Sequence, residues 1–229
     1  MNSIQNRPTR AINKCVRVHA DEVFLLGDLQ IPEMATSLVI FACCSGRSRN
    51  NPRNLHAARL IRLKGIGTLI CDLLNEEEEL EDEATEAYRH DAVLLARRLH
   101  AVTKWVASEP DTHGMHIGYF GACAGGAAAF IAAAKLHETI EAIVTRGART
   151  DLAMKALPRV KCPSLLIVGE EDEVGLELNR EALPHLECPK ELKVIPGASH
   201  LFGEPHKLEE MAMLGADWFQ CHLPGPELE

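Results

Sequence analysis

Between Met115 and Ala134 the chain reads MHIGYFGACAGGAAAFIAAA. Its first half is a short apolar run that fits a buried strand, and its second half is an alanine-rich run with the composition of a helix. Between them lies Gly121-Ala122-Cys123-Ala124-Gly125. A glycine two residues before and two after a nucleophile is what a sharp strand-to-helix turn demands. The central side chain there adopts a strained backbone, and bulky neighbours would collide. Serine is the usual centre; here it is cysteine. The turn would lift Cys123 to the N-terminal end of the helix, where the helix dipole and unpaired N–H groups stabilise a thiolate. Gly-Ala runs also occur wherever a helix packs tightly on a sheet, so the pentapeptide needs support from elsewhere in the chain. Phosphate-cradling loops fit less well. No Gly-Lys-Ser/Thr follows these glycines, and Gly65-Ile66-Gly67 lacks the third glycine and precedes a strand.

A chain of 229 residues, 46% of them hydrophobic, suits one α/β domain with a full core, its ordered part running over about residues 12–222. A net charge of -9 and a pI near 5.7 argue against a nucleic acid or an anionic membrane as the main partner. A small-molecule substrate or a protein partner fits this balance, and the chain is expected to be a monomer or homodimer. The opening MNSIQNRPTR lacks the apolar core of a secretion signal, and no apolar run is long enough to span a bilayer, so a cytoplasmic location is expected. The eight cysteines should then be mostly reduced, and their spacing is not of the zinc-binding type. No metal or cofactor is expected.

Strand and helix patterns alternate along the chain. Cys15 to Gln30 reads as an edge hairpin around an Asp21-Glu22 turn, and Ser37 to Cys43 as a strand buried on both faces. Asn51-Pro52 opens a helix with an apolar stripe of Leu55, Ala58 and Ile61, stopped by Gly65. Thr68 to Asp72 is the next buried strand. The acidic segment Glu76 to Glu83 reads as a solvated loop entering a helix. Tyr88, Ala92, Leu95, Leu99, Val102 and Val106 mark a long amphipathic helix ending before Pro110. Ile140 to Thr145, Pro163 to Gly169 and Leu192 to Ile195 complete the strands, and Pro205 can begin a closing helix through Leu208, Met211, Gly215 and Trp218. Such alternation implies a mostly parallel sheet covered by helices on both faces, with its site at the carboxyl ends of the strands.

Two further strand ends carry what a nucleophile at position 123 needs. PSLLIVG is followed by Glu170-Glu171-Asp172-Glu173, and LKVIPG by Ala198-Ser199-His200. The chain order of nucleophile, acid and histidine is that of the α/β-hydrolase fold. His200 would take the Cys123 proton, and Asp172 would fix the ring tautomer. Glu170, Glu171 or Glu173 could replace Asp172, and His185 and His206 rival His200. The oxyanion would be held by the N–H groups of Ala124 and of Cys44, in the loop after the third strand.

The segments GYFGACAGG, LLIVGEED and VIPGASHLF resemble the three catalytic segments of the dienelactone hydrolase family, over nearly the whole chain. The resemblance implies an α/β-hydrolase fold, a Cys123–His200–Asp172 triad, and oxyanion donors at Cys44 and Ala124. In the family's lactonases a glutamate stands where this chain has Cys43, and arginines bind the substrate carboxylate. Cys43 cannot replace that glutamate. Arg146, at a strand end, and Arg47 or Arg49, near the oxyanion loop, are candidates to face an anionic substrate. A nearer subgroup carries His-Gly-Ser-Gly in place of Cys43-Cys44-Ser45-Gly46, and serine in place of Cys123. A thiol nucleophile suits thioesters, activated esters and lactones better than amides. The expected activity is therefore hydrolysis of a small ester, thioester or lactone. The alternatives are a degenerate hydrolase fold that senses redox state through Cys43, Cys44 and Cys123, and a binding protein without catalysis.

Overall fold

Apolar and polar residues alternate along Ile12–Ala20 (β1) and Val23–Ile31 (β2), so each strand buries one face and solvates the other. Asp21, left-handed at φ 55°, turns β1 antiparallel onto β2. The computed structural model describes residues 10–43 and 48–225. Its remaining strands are short continuous apolar runs: Ser37–Cys43 (β3), Gly67–Cys71 (β4), His116–Ala122 (β5), Ile140–Arg146 (β6), Ser164–Gly169 (β7) and the more exposed Lys190–Ile195 (β8). They join in one eight-stranded sheet of order β1-β2-β4-β3-β5-β6-β7-β8. Only the pairs β1–β2 and β2–β4 are antiparallel. The carboxyl ends of β3 to β8 therefore open on one rim, where ligands bind in sheets of this kind. This is the mostly parallel sheet that the alternation implies.

Helices cover both faces. Pro52–Leu63 (α1) and Lys207–His222 (α6) pack Ala58, Ile61, Met211 and Phe219 on one face, against Phe41, Phe120 and Val144. Ala92–Ser108 (α3) and Ala124–Ala133 (α4) pack Leu95, Leu99, Val102 and Phe130 on the other. Nine of the ten α4 residues are buried, which explains a helix without a polar face. Among the described residues no helix is long and apolar enough to cross a membrane.

Three expectations change. The acidic segment is a helix, Glu76–Thr85 (α2), because Asn75 accepts the Glu78 N–H while the Glu78 carboxylate accepts the Asn75 N–H. That reciprocal cap satisfies two orphan donors, and acidic residues favour a helix N-terminus. Leu55 is exposed; Asn54 and Ala57 join Ala58 and Ile61 on the buried side of α1. Tyr88 lies in the turn before α3, which starts at Ala92 behind the Asp91 cap.

Asp82 ties that turn down. Its buried carboxylate accepts the Tyr88 and Arg89 backbone N–H groups and the Arg89 Nε–H at 2.7 Å. Burial pushes the carboxyl up, but these hydrogen bonds outweigh it and hold the group below its ordinary range. Asp82→Asn should cost about 3 kcal/mol at neutral pH, by breaking a buried pair. A carboxyl depressed in the folded state stabilises above its unfolded value of about 3.9 and loses that contribution as pH falls through the folded value. Urea denaturation should therefore show the gap between parent and variant close below about pH 4.

Candidate active site

Cys123 stands between β5 and α4 at φ 52° and ψ −128°, a backbone that costs a non-glycine residue of the order of 1–3 kcal/mol. Three glycines let the chain turn so tightly. A Cβ on Gly121 would lie 2.6 Å from the Gly126 Cα, one on Gly125 2.1 Å from the Ala42 carbonyl oxygen, and one on Gly126 2.6 Å from the Ala148 Cβ. The elbow is thus wedged between the end of β3 and the loop beyond β6, and Ala124 opens α4, where an N–H has no intrahelical acceptor.

The Cys123 Sγ lies 3.4 Å from His200 Nε2, and His200 Nδ1 lies 2.6 Å from Asp172 Oδ2. Asp172 also caps Glu173–Ala182 (α5), its Oδ1 accepting the Gly175 N–H at 3.0 Å. One carboxylate therefore holds both a helix and the imidazole. With Nδ1–H donated to Asp172, Nε2 remains as the acceptor facing the thiol. Gly147, at φ 51°, leaves room for the ring: a Cβ there would come 2.9 Å from His200 Cε1.

Packing at the ends of β7 and β8 selects these residues over their rivals. A Cβ on Gly169 would meet the Ala198 oxygen at 2.2 Å, so the acid and histidine loops touch through backbone. Glu170 uses its carboxylate on the Gly197 N–H at 2.9 Å, while Glu171 and Glu173 are exposed, as are His185 and His206. The backbone beyond His200 is held by buried Phe202 and by the Arg53 Nε–H donated to the Leu201 carbonyl at 2.8 Å.

The arginines differ. Arg146 closes β6 beside the elbow, 6% exposed, and its Nε has no hydrogen-bond partner among the described residues. Arg49 is tied to Asp72 at 2.7 Å and to Asp28 at 3.2 Å, so it is not held ready for a ligand. Cys44 and Arg47 lie outside the described residues. Cys43 is buried and pairs in register with Ala122. Burial pushes the Cys71 thiol up and the Cys162 thiol to about 12, which keeps both protonated and inert. No cluster of three or more His, Cys, Asp or Glu side chains among the described residues is placed to hold a metal ion.

Sequence reasoning overlooked Gly147, Gly175 and Arg149. Arg149 lies three residues past Arg146, and position beyond a strand end was the available signal.

The arrangement can deliver a thiolate to a carbonyl carbon and a proton to a leaving group. The dienelactone hydrolase family model matches residues 29–216. A crystal structure of dienelactone hydrolase from Anabaena variabilis is 46% identical, covers 94% of this chain and 100% of that one, and superposes with a TM-score of 0.91. Est1E from Butyrivibrio proteoclasticus shares the fold, with a TM-score of 0.73 at 14% identity over 90% of this chain and 98% of its own. A Mycobacterium tuberculosis protein named "Putative phosphoribosyl transferase" is 46% identical over 211 residues, 92% of this chain and 47% of that protein. The chain thus spans about half the length of the curated relatives it matches. A match over most of the chain, on a sheet that sets a cysteine elbow against an acid and a histidine, places this chain in the dienelactone hydrolase family.

Proposed function

We propose that the protein hydrolyses small esters, thioesters or lactones through an acyl-enzyme on Cys123. The observation that carries this reading is the line Sγ, Nε2, Nδ1, Oδ2, with links of 3.4 Å and 2.6 Å, built on a strained elbow. His200 takes the thiol proton, and the sulfur attacks the carbonyl carbon. The resulting oxyanion accepts the Ala124 N–H, with Cys44 N–H as the second donor that the family resemblance implies. Collapse of the tetrahedral intermediate expels the alcohol, thiol or ring oxygen, protonated by imidazolium. Water, deprotonated by His200, then releases the acid. Asp172 stabilises the imidazolium in both half-reactions. No metal is required at any step.

Arg146 supports an acidic substrate. A buried guanidinium without a full set of partners is costly, and an anionic group on the substrate would supply one. Arg146→Gln should therefore raise KM for an ester with an acidic acyl group by about tenfold, and change KM for a neutral ester by less than about threefold. Steady-state kinetics on the two ester classes checks this. The transferase activity in the mycobacterial relative's name is not carried over to this chain, which matches 47% of that protein.

The deciding test is acyl trapping. After brief mixing with p-nitrophenyl acetate and acid quench, peptide mass spectrometry should find one acetyl group on Cys123. An adduct elsewhere, or none during turnover, would overturn the assignment.

A further inference from the structure

The segment from Arg146 to Thr150 is tied to the nucleophile and to the histidine. The Cys123 N–H donates to the Arg146 carbonyl at 3.3 Å, and the Arg149 N–H donates to the Cys123 carbonyl at 3.0 Å. Gly147 lies under the His200 ring and donates its N–H to the Ile167 carbonyl of β7 at 2.9 Å. Asp172 stands at the head of α5, so its place against His200 depends on how that helix is held.

The buried residues of α5 are Gly175, Leu176, Asn179 and Ala182, of which only Leu176 is a large apolar side chain. So little apolar surface gives attraction without direction. Direction comes from hydrogen bonds that cross between helix and segment both ways. Asn179, fully buried, donates from Nδ2 to the Ala148 carbonyl at 2.9 Å and to the Gly175 carbonyl at 2.7 Å. Thr150, equally buried, donates its hydroxyl to the Leu178 carbonyl at 2.8 Å. Gly175, gripped through its carbonyl, is the residue whose N–H holds Asp172 Oδ1 at 3.0 Å. Asn179 Oδ1 has no hydrogen-bond partner among the described residues. An apolar side chain would leave no such acceptor buried, so the bonds that the amide directs account for it better than stability does.

We propose that Asn179 and Thr150 are positioning residues that lock α5 onto the 146–150 segment and so set Asp172 at 2.6 Å from His200. Both are fully buried and act through the acid, without touching substrate. With Asp172 displaced, an imidazolium at His200 loses its carboxylate, and less of the Cys123 sulfur is held as thiolate. The inference rests on the reading of Cys123, His200 and Asp172 as the catalytic set.

The rate of Cys123 alkylation by iodoacetamide near neutral pH, read by peptide mass spectrometry, tests this without any ester. Asn179→Leu should alkylate about tenfold more slowly than the parent, and Thr150→Val about threefold. Thr150→Ser keeps the hydroxyl and should stay within about twofold. A packing role alone predicts the reverse order, since serine removes a buried methyl that valine keeps. In an Asp172→Asn background, which retains an oxygen for the Gly175 N–H, adding Asn179→Leu should change the rate by less than about twofold. With an ester, kcat should fall in Asn179→Leu while KM stays within about threefold. Three results overturn the proposal: a parent-like rate in folded Asn179→Leu, a serine variant slower than the valine one, or a loss of about tenfold that persists in the Asp172→Asn background. Should Asn179→Leu fail to fold, the two Thr150 variants decide alone. If alkylation behaves as expected yet no ester is cleaved, only the proposed function fails. If esters are cleaved and the substitutions at 172 and 179 act independently, only this positioning role fails.

Discussion

Cys123→Ala protein is expected to turn over p-nitrophenyl butyrate at least about 10⁴-fold more slowly than the parent. The sulfur beside His200 Nε2 is the only atom that can take the acyl group in the proposed mechanism. Without it, water must be activated by His200 and attack directly, helped only by the oxyanion donors. The substitution removes one atom from a half-buried side chain and leaves the elbow backbone no more strained than cysteine leaves it. Stability should therefore hold, with a melting temperature within about 3 °C of the parent. Initial rates and a thermal melt check both statements. A variant rate within about tenfold of the parent would sink the nucleophile assignment.

Gly125→Ala should be among the most damaging single-methyl additions at the described glycines. Its Cβ would stand 2.1 Å from the Ala42 oxygen and 2.9 Å from the Cys43 Cα, so the collision is with backbone rather than with a side chain that can swing away. Relief requires moving α4 off β3, and the elbow moves with it. Overpacking a core usually costs about 1–3 kcal/mol; against two fixed backbones at least about 3 kcal/mol is expected, with loss of ester hydrolysis. Gly203→Ala is the control, because nothing lies within 4 Å of its Cβ and the change should stay within about 0.5 kcal/mol. Urea denaturation with an unchanged m-value measures the difference. Equal stability of the two variants would mean that the tight contact between elbow and β3 is wrong.

Most of the sheet was legible because strands buried on both faces appear as uninterrupted apolar runs. The expected limits of β3 to β8 lie within about two residues of those observed. The acidic helix α2 was not, since charge density suggested solvent while the Asn75–Glu78 cap needed only local geometry. Leu55 was misread for a different reason. Helical spacing places it near the apolar stripe, but α1 is rolled against α6 so that Asn54 and Ala57 take the inner positions.

Residue order alone carried the elbow and its cysteine, because glycine sterics act between neighbours in the chain, and it carried the succession of nucleophile, acid and histidine at strand ends. It left open which carboxylate among positions 170–173 and which of three histidines would meet the sulfur. Folding settled the geometry of that choice through contacts between distant segments: Gly169 against Ala198, Gly147 under the His200 ring, and Phe202 seated in the core. The placing of Arg149 beside Cys123 belongs to the same class. It depends on a backbone hydrogen bond between residues that pattern and spacing do not connect, and that bond exists only once β5 and β6 lie side by side.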